Sequence, residues 1–229
     1  MRPVIICIVF VFLTATCAAQ TSSNAPESSE VAASRIGILG GMGVSYVNAQ
    51  DIVDRVNSSS GVAARVAEFK AAIEFFGGIT IPVTPDWVLK LEYAYLLGSY
   101  TVNNSFFNSE FQFVVHMPMI IGQYVLVDGG VYNVKVGAGG GYHFGSYSEK
   151  FATVDDRFSG KGLGAVMDLE ANTAFGESFY AYLGANLRWE FIGDLTNASG
   201  KSPGGVAASS ATTLQFFSIG ARLGFTFYL

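Results

Sequence analysis

The sequence predicts an all-β fold, an eight-stranded antiparallel up-and-down transmembrane β-barrel. Three observations lead to this prediction. The chain of 229 residues is 50% hydrophobic and only 14% charged, with a mean hydropathy of +0.38. Beyond its first residues it has no apolar run of the roughly 20 residues that a membrane helix needs. Its apolar residues instead alternate with small or polar ones, and a closed barrel satisfies the backbone of such strands within a bilayer.

Composition and charge exclude several other classes of protein. The chain is too apolar for a disordered protein and has too few cysteines for a disulfide scaffold, since only two occur. The formal net charge is −5, which argues against nucleic acid as a partner.

The first 34 residues are predicted to lie outside the barrel. Arg2 precedes an apolar run from Val4 to Leu13 and a small-residue stretch ending at Ala19, which is typical of a signal peptide over residues 1–19. Residues 20–34 are rich in serine and predict a flexible leader. Both cysteines, Cys7 and Cys17, lie in this signal segment. The mature chain would therefore contain no cysteine, and whether Cys17 is lipidated stays open.

Alternation with a period of two is clearest at the C-terminus. One face of residues 217–229 is wholly apolar, whereas the other is small, polar or charged and includes Arg222. The same pattern recurs earlier in the chain, so that each strand carries charges on one face only. The predicted strands span about 35–47, 69–81, 87–99, 109–127, 131–145, 163–175, 179–192 and 216–229.

The connections between these strands alternate between short and long. Short turns are predicted at 82–86, 128–130 and 176–178, and long loops at 48–68, 100–108, 146–162 and 193–212. An even number of strands with short turns at one end and long loops at the other is the layout of an outer-membrane barrel, here over residues 35–229. The first long loop contains Asp51–Val56, which is predicted to form a short helix.

Two local features refine the prediction. Pro118 lies inside a long predicted strand and cannot donate to a ladder, so we expect a β-bulge there, whose shift would turn Tyr124 outward. Aromatic residues near both ends of most strands predict two interfacial girdles. The paired positions are Trp87 and Tyr95, Tyr132 and Phe144, and Phe179 and Trp189.

The alternative is a soluble sandwich or lipocalin-like barrel, in which the apolar face points inward. A solvated face of this length would be dense in Lys and Glu. The polar faces of this sequence hold mostly Gly, Ser, Asn and Tyr, which favours the membrane barrel.

Charged residues on the polar faces are predicted to point into the lumen. An eight-stranded barrel has room inside for side chains but not for a water column, so opposite charges must pair. Five basic and five acidic groups would balance, and their predicted role is structural, with a conduction or proton path as the alternative. The predicted lumen network comprises Glu74, Lys90, Glu92, Lys135, Asp168, Glu170, Arg188, Glu190 and Arg222, with Lys70 as a further member.

Three segments carry a resemblance to a known family. They are Phe113–Ile121, which is similar to the "EIPLLL" strand of that family, the glycine-rich Val136–Tyr142, and the C-terminal strand with its alternating aromatics. The chain resembles the small outer-membrane β-barrel proteins of Gram-negative bacteria, the porin-family or OmpA/OmpX-like barrels, over residues 35–229. The family usually ends in Phe, whereas this chain ends in Phe227-Tyr228-Leu229. The resemblance implies a fold, a place in the outer membrane and a barrel-assembly machinery as partner.

No catalytic, cofactor-binding or metal-binding residues are predicted. His143, with Ser146 and Ser148 beyond it, is a conceivable hydrolase site but matches no lipid A deacylase pattern. The glycines near 139 open no helix, and Asp155-Asp156 is more typical of a solvated loop than of a cation site.

The predicted function is non-catalytic, structural or interactive through the long loops. The expected partners are outer-membrane lipids and an extracellular ligand that binds loops 48–68, 146–162 and 193–212. A narrow channel for small solutes is the alternative function, and a lipid-modifying enzyme is a third.

Overall fold

The protein forms a closed barrel of eight antiparallel strands. The computed structural model describes residues 35–59, 69–103, 108–151, 154–203 and 212–229, so the predicted signal peptide and leader, with Cys7 and Cys17, lie outside the described residues. The elements in chain order are β1 (Gly37–Asn48), α1 (Gln50–Ser59), β2 (Phe69–Pro82), β3 (Trp87–Asn103), β4 (Asn108–Asp128), β5 (Tyr132–Phe151), β6 (Val154–Ala174), β7 (Phe179–Asp194) and β8 (Thr213–Tyr228). The predicted fold class is confirmed.

Each strand pairs with the next along the chain, and the first strand pairs with the last. In this closing seam Gly37 lies opposite Tyr228 and Asn48 opposite Phe217. Arg35 stabilises the seam at the end of the barrel that carries the short turns. Its guanidinium donates to the carbonyl oxygens of Leu229 at 3.0 Å and Tyr228 at 3.1 Å, and to the Ser178 hydroxyl at 3.1 Å. Closure leaves the spanning part of the sheet without an edge.

The barrel is apolar outside and polar inside over most of its height. On β8, Leu223 and Phe225 are 64% and 54% exposed, whereas Arg222 and Ser218 are buried. Apolar side chains facing outward and polar side chains facing inward are typical of a barrel that spans a bilayer. In the described ranges, no helix is long and apolar enough to cross a membrane.

Aromatic side chains line both ends of this apolar belt. Trp87, Tyr132 and Phe179 are exposed near the short turns, and the Trp87 and Tyr124 rings pack edge to face with centroids 5.3 Å apart. At the opposite end Phe144 is exposed, and Trp189 packs on Phe217. This arrangement fits the two predicted girdles.

The bulge predicted at Pro118 is wrong. The register between β4 and β5 is the same before Pro118, at His116↔Phe144, and after it, at Ile120↔Gly140, and it shifts instead between Val125 and Val127. A Cβ on Gly141 would lie 1.8 Å from the Pro118 carbonyl oxygen. The strands therefore accommodate the missing N–H by a close backbone approach at glycine rather than by an extra residue. Tyr124 still faces outward.

Two of the predicted long loops are largely strand. Residues 146–162 continue β5 and β6, which stay paired up to Phe151↔Val154, and residues 100–103 continue β3. The predicted loops at 146–162 and 100–108 are therefore wrong over most of their length. These extensions stand above the ring and form a four-stranded protruding sheet, made of residues 98–103, 108–113, 147–151 and 154–161.

The predicted short helix is confirmed as α1, which covers part of the barrel mouth. Its Ile52 and Val53 side chains are buried while Asp51 is exposed, and the Thr213 hydroxyl donates to the Asp51 carboxylate. The loop around 193–212 is described only up to residue 203 and from residue 212. Within it, Thr196 forms an isolated backbone bridge with Ser159.

Candidate functional site

The lumen of the barrel collects the buried charges and is the first candidate site. The structure places all nine predicted members of the lumen network inside the barrel with at most 3% of each residue exposed. The Lys70 side chain lies outside the described residues.

Two arginines and two glutamates form one layer of this network, the arginine layer. Arg188 donates two hydrogen bonds to the Glu74 carboxylate, at 2.6 and 2.9 Å. Arg222 donates two to Glu92, at 2.9 and 2.8 Å, and also contacts Glu74. These forked contacts match the planar guanidinium to the planar carboxylate, so they fix both groups in orientation as well as in position.

Two lysines and two acidic groups form a second layer, the lysine layer. The Lys90 ammonium lies 2.5 Å from Asp168 and 3.1 Å from Glu170, and Lys135 lies 2.6 Å from Glu170. The Gln123 amide donates to both acidic groups at 2.9 Å. Lys90 also lies 3.3 Å from Glu92 and thereby joins the two layers.

The two layers together are electrically neutral, since four cations face four carboxylates. Ionised groups removed from water are tolerated only when paired and hydrogen-bonded, and most of their bonding capacity is used here. Several of these contacts cross the lumen, as when Arg188 on β7 reaches Glu74 on β2 and Arg222 on β8 reaches Glu92 on β3. The network therefore supports a structural role as a cross-brace between the walls.

His143 does not form the hydrolase arrangement considered from the sequence. Its Nδ1 lies 2.5 Å from the Glu190 carboxylate, and both residues are buried. Gly164 makes room for the imidazole, because a Cβ there would lie 2.2 Å from its ring. Ser146 points to the outer face, so no Ser-His pair forms at this position. A nucleophile and its base must lie within hydrogen-bond reach.

The mouth of the lumen and the inner face of the protruding sheet are filled by apolar side chains, which the sequence did not predict. We call this set the apolar plug: Leu96, Tyr100, Phe113, Val115, Tyr147, Ile192, Leu214 and Phe216, all buried. Phe113 on β4 meets Phe216 on β8 across the interior, with ring centroids 6.2 Å apart. Burial in this layer raises the pKa of Tyr100 to about 12.

Glycine permits this packing. A Cβ on Gly98 would lie 2.3 Å from the Phe113 ring, so only a residue without a side chain lets the ring lie against the wall. Ile52 of α1 is buried at the mouth and belongs to the same apolar cluster as Phe113 and Phe216. The plug and the helix together separate the ion-pair layers from the outside.

A lumen closed in this way is expected to carry no stable ionic current. An ion on the axis would lose its water at the plug without gaining a polar ligand. The measurement is single-channel recording of the purified barrel in planar bilayers, with an open porin as positive control. Reproducible conductance steps would contradict this prediction and revive the narrow-channel alternative.

Among the described residues, no group of three or more His, Cys, Asp or Glu side chains is arranged so that it could hold a metal ion. Asp155 instead lies 3.5 Å from Arg157 on the outer face of the protruding sheet.

Comparison with known proteins finds similarity in structure alone. No protein-family model and no curated protein matches the chain. Among solved structures, the chain is similar to Neisserial surface protein A, with a TM-score of 0.49, 10% identity, and 85% of this chain and 97% of that chain covered. It is similar to Ail, the attachment invasion locus protein of Yersinia pestis (TM-score 0.48, 11% identity, 85% and 99% covered). It is also similar to a major outer membrane protein of Thermus thermophilus (TM-score 0.48, 12% identity, 85% and 99% covered).

The features of the molecule itself carry the assignment of the fold. Eight strands close into one ring, the outer surface is apolar where a bilayer would meet it, and the interior holds the charges. Short turns join the strands at one end, and at the other end the connections before β2 and before β8 are long. The chain is a small eight-stranded β-barrel protein, integral to the outer membrane.

Proposed function

We propose that the protein is a non-catalytic outer-membrane protein that binds an extracellular partner along the β6 edge of its protruding sheet. One observation carries this proposal. Residues 154–158 of β6 pair with β5 but with no other strand of the described chain, because the pairing of β6 with β7 begins only at Gly162. A barrel that is closed in the membrane thus carries an open strand edge above it.

The direction of the free backbone groups follows from a neighbouring bridge. The Ser159 N–H donates to the Thr196 carbonyl at 2.9 Å, and the Thr196 N–H donates back at 3.0 Å. Backbone groups alternate sides along an antiparallel strand, so those of Asp155 and Arg157 point to the same side as those of Ser159. Within the described ranges, Asp155 and Arg157 therefore offer unpaired N–H and C=O groups to an added strand.

Charge on this edge favours a selective partner. Asp155, Asp156 and Arg157 are exposed, and charged side chains along a strand edge discourage indiscriminate pairing. An extended peptide can add to such an edge when its main chain bonds to the free groups and its side chains complement the charges. Strand addition is therefore the recognition mode that we propose for this surface.

A proline substitution is expected to weaken this binding, because Arg157→Pro removes one outward N–H. The same change leaves the ladder to β5 intact, since the Arg157 N–H points away from that strand. Arg157→Ala is the matched control, which removes the side chain and keeps the N–H. A displayed library of extended peptides is panned on the barrel in lipid nanodiscs, and the affinity of each selected peptide is measured for both variants.

The two variants separate the possible results. We expect a loss of about tenfold or more with Arg157→Pro and a smaller change with Arg157→Ala, since each main-chain hydrogen bond at a dry interface contributes about 1 kcal/mol or more. No selected peptide, or peptides that bind both variants equally, would contradict the proposal. A gel shift on boiling verifies that each variant is folded.

Neither of the other functions considered from the sequence has a supporting observation of this kind. The apolar plug lies across the lumen, which gives no support to conduction. His143 is engaged with Glu190 inside the barrel, which gives no support to a hydrolase at this position.

A further inference from the structure

The outer wall of the barrel carries an amphipathic groove made of two adjoining depressions. The lower one, of about 610 Å³, is lined by Ile79, Leu91, Tyr93, Pro118 and Ile120 and also by Gly77, which has no side chain. The upper one, of about 570 Å³, is lined by polar groups that include His116, Ser146, Ser159, Lys161 and Asp194. Phe144 lines both depressions, so the two adjoin at its side chain.

The groove crosses the outer boundary of the apolar belt. On β6 the outward side chains Leu169, Met167 and Leu163 are exposed and apolar, and Lys161 is the first charged residue above them. On β7 the exposed Phe191 is followed by Asp194 in the same way. The upper depression therefore lies at the level of lipid headgroups, and the lower one lies within the hydrocarbon region.

Two opposite charges in the upper depression have no partner in the described chain. Lys161 and Asp194 are exposed, and neither forms an ion pair with another described residue, whereas the charges of the two lumen layers are all paired. His116 is already engaged, because its Nδ1 lies 2.5 Å from the Tyr93 hydroxyl. A cation and an anion that line the same depression complement a headgroup that carries both signs.

We propose that this groove binds one phospholipid molecule with a phosphoethanolamine headgroup. Lys161, assisted by the hydroxyls of Ser146 and Ser159, would hold the phosphate, and Asp194 would accept hydrogen bonds from the primary ammonium. One acyl chain would pass Phe144 into the apolar depression over Gly77. The geometry thus matches each part of the lipid to a different chemistry of the wall.

Lipid competition tests this assignment. The barrel in detergent is mixed with equimolar phosphatidylethanolamine, phosphatidylcholine and phosphatidylglycerol of identical acyl chains, and retained lipid is counted by native mass spectrometry. We expect phosphatidylethanolamine to be retained about tenfold over the other two. Phosphatidylcholine lacks ammonium N–H donors, and phosphatidylglycerol lacks the cation.

Three variants assign the parts of the groove. Asp194→Asn is expected to abolish the preference for phosphatidylethanolamine over phosphatidylcholine, and Lys161→Met to reduce retention of all three lipids. Gly77→Leu fills the apolar depression and should reduce retention about tenfold. The backbone accommodates this substitution, because a Cβ at this outward position meets only the Leu39 carbonyl oxygen, at 3.6 Å. Lys150→Met, on an exposed lysine of the protruding sheet, is the control.

Several results would contradict this assignment. Equal retention of the three lipids, a preference for phosphatidylglycerol, or an unchanged preference in Asp194→Asn would overturn the proposal. Masses of a dimer that disappear with Gly77→Leu would show that a second copy of the chain occupies the groove instead. Each variant is first verified as folded by its gel shift on boiling.

Discussion

Replacing Arg222 with methionine is expected to lower the free energy of unfolding by about 3–5 kcal/mol, because the buried Glu74 and Glu92 then lose a shared cation. Arg222 donates to Glu92 at 2.9 and 2.8 Å and also contacts Glu74. Methionine keeps much of the side-chain volume, so the loss reports mainly the unpaired charge. The measurement is urea unfolding of the barrel in phospholipid vesicles, followed by tryptophan fluorescence.

A control and a partial rescue accompany this variant. Lys201→Met changes an exposed lysine and is expected to alter stability by less than about 0.5 kcal/mol. Adding Glu92→Gln to Arg222→Met should recover part of the loss, since one uncompensated charge disappears. A loss below about 1 kcal/mol in the single variant would mean that the arginine layer does not brace the walls.

Replacing Met167 with arginine is expected to cost about 2–4 kcal/mol, because it places a charge on the lipid face of the wall near the bilayer centre. Met167 is exposed on the outer side of β6, between Ala138 of β5 and Leu187 of β7. Vesicle unfolding in urea again gives the value.

The matched control moves the same charge out of the belt. Ser148 faces outward on the protruding sheet, and Ser148→Arg is expected to change stability by no more than about 0.5 kcal/mol. Equal, small effects at both positions would mean that water rather than lipid meets the wall at Met167, as it would in a soluble barrel.

The spanning strands could be predicted because lipid outside and charge inside leave a strong signal with period two. Arg222 between Leu223 and Ala221 is one such signal, and Lys90 between Leu89 and Leu91 is another. The charged side of each strand therefore identifies the lumen face from the order of the residues alone.

The upper parts of the strands could not be predicted, because the outer environment changes there from lipid to water. Ser146 and Ser148 face outward where leucines would stand in the belt, while Tyr147 between them still points inward. Serine and glycine at alternating positions are typical of a loop, so they concealed the continuation of β5 and β6. Tyr147 on β5 and Phe158 on β6, which are buried, are the signal that could have revealed it.

The apolar plug was missed for a related reason. In β4, Phe113 and Val115 point inward while Ile120 points outward, so both faces are apolar and no charge marks the lumen. Which charged residues pair with each other in the lumen could not be predicted from the sequence either. Arg188 and Glu74 are 114 residues apart, and only the register of every intervening strand brings them together.

The seam between β1 and β8 has a consequence for biogenesis. The first strand can pair with β2 early, but its second partner is the last strand, since Gly37 lies opposite Tyr228 and Arg35 reaches the carbonyl oxygen of Leu229. A sheet in which this seam is not yet closed has two unpaired strand edges, and exposed edges allow aggregation to compete with folding. Both edges therefore need shielding until β1 and β8 meet, and the Arg35 contacts form only when that seam has closed.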